Sequence, residues 1–289
     1  MITAVIPTFR GQRRLDRNLA SVVETLGRCG GWEILVVDDG GGELGPQPRC
    51  VRVVELSRNA GYGPAVNAGV AAARGELVLI LNDDVRLEPE LARGLRESLR
   101  DGVFAVVPRI RSRLAACGDE GGKRGELVRG LIEIREVDRE VPGATLYPVG
   151  CCFLCRRQDY LELGGYDPLY APFFWEDVDL GYRAWRRGLA VLHVPGVTCW
   201  HEASATIEEV ASEPDRQRIF FRNQVLFHLR NLQDSSLRWG CLGALAAVEL
   251  LDSNEPRRRG LSEALRLFGE VGFRETGGLS DREILARAR

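Results

Sequence analysis

Leu77-Val78-Leu79-Ile80-Leu81 is an unbroken apolar run that stops on Asn82-Asp83-Asp84, and Ile34-Leu35-Val36-Val37 stops in the same way on Asp38-Asp39-Gly40. A run without polar alternation suits a strand covered on both faces, the condition of a central strand in a parallel sheet. Outward from these two runs, the first hundred residues alternate. Thr3 to Ile6 reads as a strand, Arg13 to Leu26 as a helix, Glu33 to Val37 as a strand, Pro64 to Ala73 as a helix and Leu77 to Leu81 as a strand. That rhythm predicts βαβ units and an α/β fold with a mainly parallel sheet flanked by helices. Ligands of open α/β sheets bind beyond the carboxyl ends of the strands, so the two acidic stops mark where a nucleotide would sit.

The chain of 289 residues is long enough for a substantial core, and its 45% hydrophobic and 28% charged content is ordinary for a globular protein. A net charge of -2 gives no electrostatic reason to expect nucleic acid as a partner. Met1-Ile2-Thr3-Ala4-Val5-Ile6-Pro7 has no basic region followed by a long apolar stretch, so a cytoplasmic location is expected. Of eight cysteines, Cys152 and Cys155 have C-x-x-C spacing, but no second half follows, and strand alternation would point them to opposite faces. Reduced, packed thiols in a strand over Val149 to Leu154 are the better reading.

Beyond Asp101, Val103 to Val107 reads as a strand and Ala115 to Gly125, rich in glycine and charge, as a mobile loop. Residues 1–215 form the expected catalytic domain, with a nucleotide half over 1–100 and an acceptor half over 101–215. From Arg216 to the end the chain reads as a helical C-terminal extension, through Phe220 to Leu232 and Leu237 to Leu251. The apolar stretch Gly240 to Val248 is far short of the roughly 20 residues that span a bilayer. It reads as a packing helix, with room for a peripheral membrane contact beside Arg257-Arg258-Arg259.

Adjacent carboxylates at a strand end repel unless a cation neutralises them, and magnesium or manganese commonly takes one or two carboxylates and completes its shell with phosphate and water. Good turn chemistry is the competing account of Asn82-Asp83-Asp84. A carboxylate in Asp38-Asp39-Gly40 can accept the ring N–H of uracil or thymine, or can serve a turn or helix cap. Arg58-Asn59-Ala60-Gly61-Tyr62-Gly63 supplies a loop before a helix whose N-terminus can face phosphate. Phe173-Phe174-Trp175-Glu176-Asp177-Val178-Asp179 sets three acids in four positions among aromatic rings, which reads as an active-site helix start near Val178. Asp177 and Asp179 cannot share a helical face, so different roles are expected. His201 follows the apolar run Ala190 to Val194 and suits a metal ligand or a diphosphate contact, whereas His193, inside that run, reads as a satisfied core or interface residue and His228 sits in a helix with no acidic neighbour in sequence.

Ala4-Val5-Ile6-Pro7-Thr8-Phe9, Val36-Val37-Asp38-Asp39-Gly40, Arg58-Asn59-Ala60-Gly61, Leu81-Asn82-Asp83-Asp84-Val85 and Trp175-Glu176-Asp177-Val178-Asp179-Leu180 follow one another in order. In this the chain resembles family 2 glycosyltransferases of the GT-A fold, above all the bacterial rhamnosyltransferase-like branch, over about residues 2–230. The resemblance implies a Rossmann-like sheet and an inverting, metal-dependent enzyme. Such an enzyme moves a sugar from a UDP- or dTDP-linked donor to the hydroxyl of a carbohydrate, lipid-linked or small-molecule acceptor, in bacterial cell-surface polysaccharide or glycolipid synthesis. It further implies that Thr8 and Asp39 contact the nucleoside, with Pro7, Arg10, Asn59 and Gly61 completing the donor site and Asp83 near ribose or diphosphate. Asp84 and His201 would hold Mg2+ or Mn2+, Asp177 would be the catalytic base, and Trp175 and Glu176 would face the acceptor. Asn82 departs from the usual Asp-x-Asp motif and leaves the metal with fewer charged ligands. Two rivals share the fold: a sugar nucleotidyltransferase and a non-catalytic sugar-nucleotide-binding protein. The first usually has a glycine-rich basic loop, where Pro7-Thr8-Phe9-Arg10-Gly11 has one glycine; the intact acidic set opposes the second.

Overall fold

The computed structural model describes residues 1–42, 44–112, 118–202, 211–274 and 277–289. Strands β1 (Ile2–Thr8), β2 (Trp32–Asp38), β3 (Val51–Glu55) and β4 (Leu77–Leu81) form the parallel half of the main sheet, connected in part by helices α1 (Gln12–Gly27) and α2 (Tyr62–Ala72). The chain continues through β5 (Val85–Leu87), α3 (Leu91–Ser98), β6 (Val103–Ser112), the hairpin β7 (Lys123–Val128) and β8 (Leu131–Glu136), β9 (Gly143–Ala144), β10 (Cys152–Arg156), α4 (Arg157–Glu162), α5 (Glu176–Arg186) and β11 (Ala190–His201). The sheet order is β3-β2-β1-β4-β10-β6-β11-β5, with β9 also paired to β11. β10 runs antiparallel to both β4 and β6, so β6 and β11 share the direction of the first four strands while β5, β9 and β10 oppose them.

The apolar runs are buried as their composition demands: Ile34 to Val37 and Val78 to Leu81 are all inaccessible to solvent. Helix α1 offers Leu15, Leu19, Val22 and Leu26 to the sheet at helical spacing and leaves Arg13 and Arg17 outward. At Gly69 a Cβ atom would stand 2.4 Å from Val5 Cγ1, so α2 can lie this close to β1 only without a side chain there. Cys151, Cys152 and Cys155 are buried free thiols.

The segment expected as a mobile loop is corrected in its described part. Lys123 already belongs to β7, and Asp119 is wholly buried, accepting the Ile110 and Gly121 N–H groups. Glycine and charge suggested mobility, but the charge is spent on capping backbone. Residues 115–117 of that expectation lie outside the described residues.

The last part is helical: α6 (Glu213–Asn231), α7 (Ser235–Leu251), α8 (Glu255–Val271) and α9 (Asp281–Arg287). Only Leu237, Cys241 and Leu245 of α7 are buried, and Trp239, Leu242, Leu250 and Leu251 face outward. No described helix is long and apolar enough to cross a membrane. A buried ion pair joins Arg186 of α5 to Asp281 of α9. Tyr182 Oη donates to the same carboxylate at 2.7 Å, and the Gln233 and Asp234 N–H groups reach its other oxygen at 2.7 Å each.

Asp281→Ala would leave the Arg186 guanidinium buried without its carboxylate. Removing one partner of such a pair costs about 3–5 kcal/mol, which urea denaturation should register as a lower midpoint. A change below about 1 kcal/mol, the range of an exposed pair, would show that the staple carries no load.

Candidate active site

β1 ends at Thr8, β2 at Asp38, β4 at Leu81 and β11 at His201, all on one edge of the sheet. After β4 the chain turns through Asn82-Asp83-Asp84 into β5, where Val85 lies opposite His201 of β11 and the Glu202 N–H donates to the Asp84 carbonyl at 3.1 Å. This pairing sets His201 Nε2 3.4 Å from Asp84 Oδ1. Residues 118–121 fold back along β6, the Glu120 N–H donating to the Ile110 carbonyl at 2.9 Å. Glu120 Oε2 thereby reaches 3.2 Å from His201 Nδ1. Burial opposes a charge on His201, but Asp84 and Glu120 together push its pKa up to about 9.

Asp83 plays a different part from its neighbour. Thr8 Oγ1 donates to it at 2.6 Å and Arg14 Nε at 2.9 Å, so it ties the end of β1 and the start of α1 to the turn. Gly11 makes this possible, because a Cβ there would fall 2.0 Å from Asp83 Oδ2. Asp39 accepts the Ala60 N–H at 2.7 Å and the Gly61 N–H at 3.0 Å, drawing the Arg58-to-Gly63 loop to the strand edge. Asn59 Oδ1 also accepts from Gly61 N, and α2 begins at Tyr62, two residues before the expected Pro64.

Helix α5 begins at Glu176 with Trp175 as its N-cap, correcting the expected start near Val178. Phe174 and Trp175 both adopt left-handed backbone (φ 75° and 71°), a conformation costing of order 1–3 kcal/mol per non-glycine residue. A side chain on α6 holds it: the buried Asn223 amide donates to the carbonyls of Tyr170 (2.7 Å), Phe173 (2.9 Å) and Phe174 (2.8 Å). This turn aims Asp177 at the cavity, its oxygens accepting from Gly150 N at 3.1 Å and Val178 N at 2.8 Å. Burial lifts the Asp177 carboxyl to about 6 despite those N–H groups, and burial with the Asp177 charge raises Glu176 well above the carboxylate range. Asp179 lies away from the cavity; despite burial, Arg183 and Arg274 hold it at about 2.

Pro7, Thr8, Asp39, Asn59, Gly61, Asp83, Asp84, Trp175, Glu176, Asp177 and His201 all line one cavity of about 410 Å³. Arg10 is exposed outside the lining, its guanidinium 5.2 Å from the Phe9 ring centre. His193 is buried with Nε2 3.2 Å from Asp119, and His228 is a buried core link whose Nε2 accepts from Ile132 N. Burial lowers the His228 pKa to about 4. Sequence reasoning missed Glu120, Arg14 and Asn223. Glu120 lay in a stretch read as loop, and the other two sit on helices at positions no motif marks.

With a carboxylate-rich cavity at the strand ends and a fixed acid at a helix start, the fold is of the GT-A type, which solved structures share. One is the mannosyltransferase PcManGT from Pyrobaculum calidifontis in complex with GDP-Man and Mn2+ (TM-score 0.57, 18% identity, covering 94% of this chain and 75% of that one). Another is S. aureus TarS 1-349 in complex with UDP-GlcNAc (TM-score 0.58, 14% identity, 92% and 80%). The chain spans about half, 54%, of GalNAc-T7, solved with UDP, GalNAc and Mn2+ (TM-score 0.61, 18% identity, 84% of this chain). Residues 3–164 match the model of glycosyl transferase family 2, and the chain belongs to that family. Within it the chain falls in the rhamnosyltransferase-like branch. It is 27% identical to the N-acetylglucosaminyl-diphospho-decaprenol L-rhamnosyltransferase of Mycobacterium tuberculosis over 92% of its own length and 97% of that enzyme's.

Asn223→Ala would strip the left-handed turn of its buried donor. Unsatisfied buried carbonyls cost about 1–3 kcal/mol, so urea denaturation should show a loss in that range. Turnover should fall further than this instability explains. Unchanged stability and turnover would exclude the clamp.

Proposed function

We propose that the protein is an inverting, metal-assisted glycosyltransferase that uses a nucleoside-diphosphate sugar, UDP- or dTDP-linked by preference, in cell-surface polysaccharide or glycolipid synthesis. The observation that carries this reading is that the half-buried carboxylate of Asp177 shares one cavity with Thr8, Asp39, Asp84 and His201. Asp39 is our choice for the acceptor of the N3–H that uracil and thymine share. Its oxygens each take one backbone N–H and each retain a lone pair. Pro7, Thr8, Asn59 and Gly61 would surround the nucleoside, Arg10 would approach from outside the lining, and Asp83 would hold the diphosphate side of the cavity. The rival nucleotidyltransferase reading gains no specific support.

The donor set suits a hard divalent cation. Asp84 Oδ1 is buried without a hydrogen-bond partner among the described residues, His201 Nε2 stands 3.4 Å from it, and Glu120 lies 3.2 Å from the other ring nitrogen of His201. The Cys151 thiol also lies within reach, but burial raises its pKa well up, leaving a neutral neighbour where zinc would want a thiolate. Asp84 and His201 would hold Mg2+ or Mn2+, with Glu120 on the other ring nitrogen orienting the imidazole, and the ion when bound neutralises charge on the departing diphosphate. Asp177 would accept the proton of the acceptor hydroxyl as its oxygen bonds to the anomeric carbon and the bond from that carbon to phosphate breaks, releasing the nucleoside diphosphate with inversion. Trp175 and Glu176 would border the acceptor. The outward face of α7 is the surface we would assign to a peripheral membrane contact.

Calorimetric titration of UDP and dTDP should give tighter binding with Mn2+ than with chelator, because Asp84 and diphosphate otherwise meet with like charge. Equal affinities would exclude the metal bridge.

Asp177→Asn should bind nucleoside diphosphate normally and lose about 10²–10⁴-fold in turnover. In the wild type the base works only when ionised, so kcat/KM should fall as pH drops through about 6. A variant transferring sugar at close to the wild-type rate would move the role to Glu176.

A further inference from the structure

A second cavity, of about 740 Å³, opens beside the first, and the two share Ile134, Phe174, Trp175 and Phe220. We propose that this groove is the acceptor site and that the acceptor is a saccharide of at least two sugar units, gripped through neutral hydroxyl groups. The proposal rests on the glycosyltransferase reading above. A cavity of 410 Å³ is the size that a single ligand of nucleotide-sugar scale occupies. With the donor seated, the acceptor has to enter from a neighbouring space that opens onto the same wall as Asp177.

The partition between the two spaces is aromatic. Phe220 of α6 makes edge contacts with Phe174 (5.6 Å) and Trp175 (5.8 Å) and is still 45% exposed, so a ring face is presented at the boundary. An exposed, rigid aromatic face beside polar side chains suits the C–H face of a sugar ring. Further out the lining changes character. Glu133 of β8, Gln217 and Gln224 of α6 and Asn254 before α8 provide planar groups that between them donate and accept, the pattern that hydroxyl groups match.

Charge separates a sugar from a diphosphate at this place. The lining holds Arg216 and Arg257, but also Glu133 and Glu213, and sums to zero. Each arginine is moreover engaged: Arg216 Nε donates to Glu213 at 3.1 Å, and Arg257 pairs with Asp252 at 3.2 Å while its guanidinium lies 4.5 Å from the Phe221 ring centre. A doubly charged group would have to break these pairs, whereas a neutral polyhydroxyl ligand uses them as they stand.

The test uses the full chain with Mn2+ and UDP- and dTDP-sugars. Its acceptor panel comprises neutral glycosides of one, two and three sugar units together with a prenyl-diphospho-monosaccharide. Disaccharides should show an acceptor KM about tenfold below that of monosaccharides. Gln217→Ala, outside the first cavity, should raise the disaccharide KM about tenfold while the donor KM holds, and Phe220→Ala, whose ring borders both cavities, should raise the disaccharide KM likewise. Both side chains are exposed, so truncation leaves the fold intact, and Arg266→Ala, on the outer face of α8, serves as the control. Unchanged acceptor KM in both variants overturns the inference. So does transfer only to the diphospho-linked monosaccharide with Arg257→Ala as the damaging change, or donor hydrolysis with no neutral glycoside accepted. Donor hydrolysis without added acceptor reports separately on the reading beneath it. If the wild type neither binds nor hydrolyses any donor, that reading fails and this inference falls with it.

Discussion

The antiparallel pairing of β5 with the end of β11 is the constraint on which the site depends. β5 has three residues, too few to stand as a strand by itself, and its partner is the far end of the longest strand in the sheet. That pairing brings residues more than a hundred positions apart into contact, so the acidic turn after β4 and His201 meet at a fixed register. A slip of one residue would send His201 to the opposite face. Asp84 would then lose the imidazole that stands 3.4 Å from its Oδ1.

Around this register stand acids that are each tied to the fold first, through backbone N–H groups or through side chains. Asp39 holds a loop by two N–H groups, Asp119 holds another, and Asp83 ties a strand to a helix. Glu176 and Asp177 also face the cavity, and burial raises the pKa of both. Two carboxylates side by side in an apolar wall are electrostatically poor neighbours, and the left-handed turn before them is poor backbone. The turn is held by Asn223 reaching across from α6, and Asp177 is served by the Gly150 and Val178 N–H groups.

The strands were legible because unbroken apolar runs leave little alternative, and the cavity followed from where those runs stop. Pro7, Thr8, Asp39, Asp83, Asp84 and His201 line it because each stands at a strand end or the turn just beyond. Glu120 and Asn223 were not legible. Each acts through a contact made by tertiary folding, one by a segment turning back along β6, the other by a helix from the far part of the chain. Composition misled at residues 118–125, where glycine and charge look the same whether the charge is solvated or caps buried backbone. The start of α5 was misread because its cap is an aromatic residue in a conformation that propensity disfavours.

The Arg186–Asp281 staple has a consequence for how the chain can be divided. Arg186 is the last residue of the helix whose first turn carries Asp177, and Asp281 opens the final helix of the chain. The C-terminal tail is therefore the outer end of a strut whose inner end bears the candidate base. Trimming the tail for convenience, or fusing a bulky partner against it, would act on the rate of sugar transfer through the length of α5. Any shortened version of the protein has to keep α9 if its kinetics are to speak for the intact enzyme.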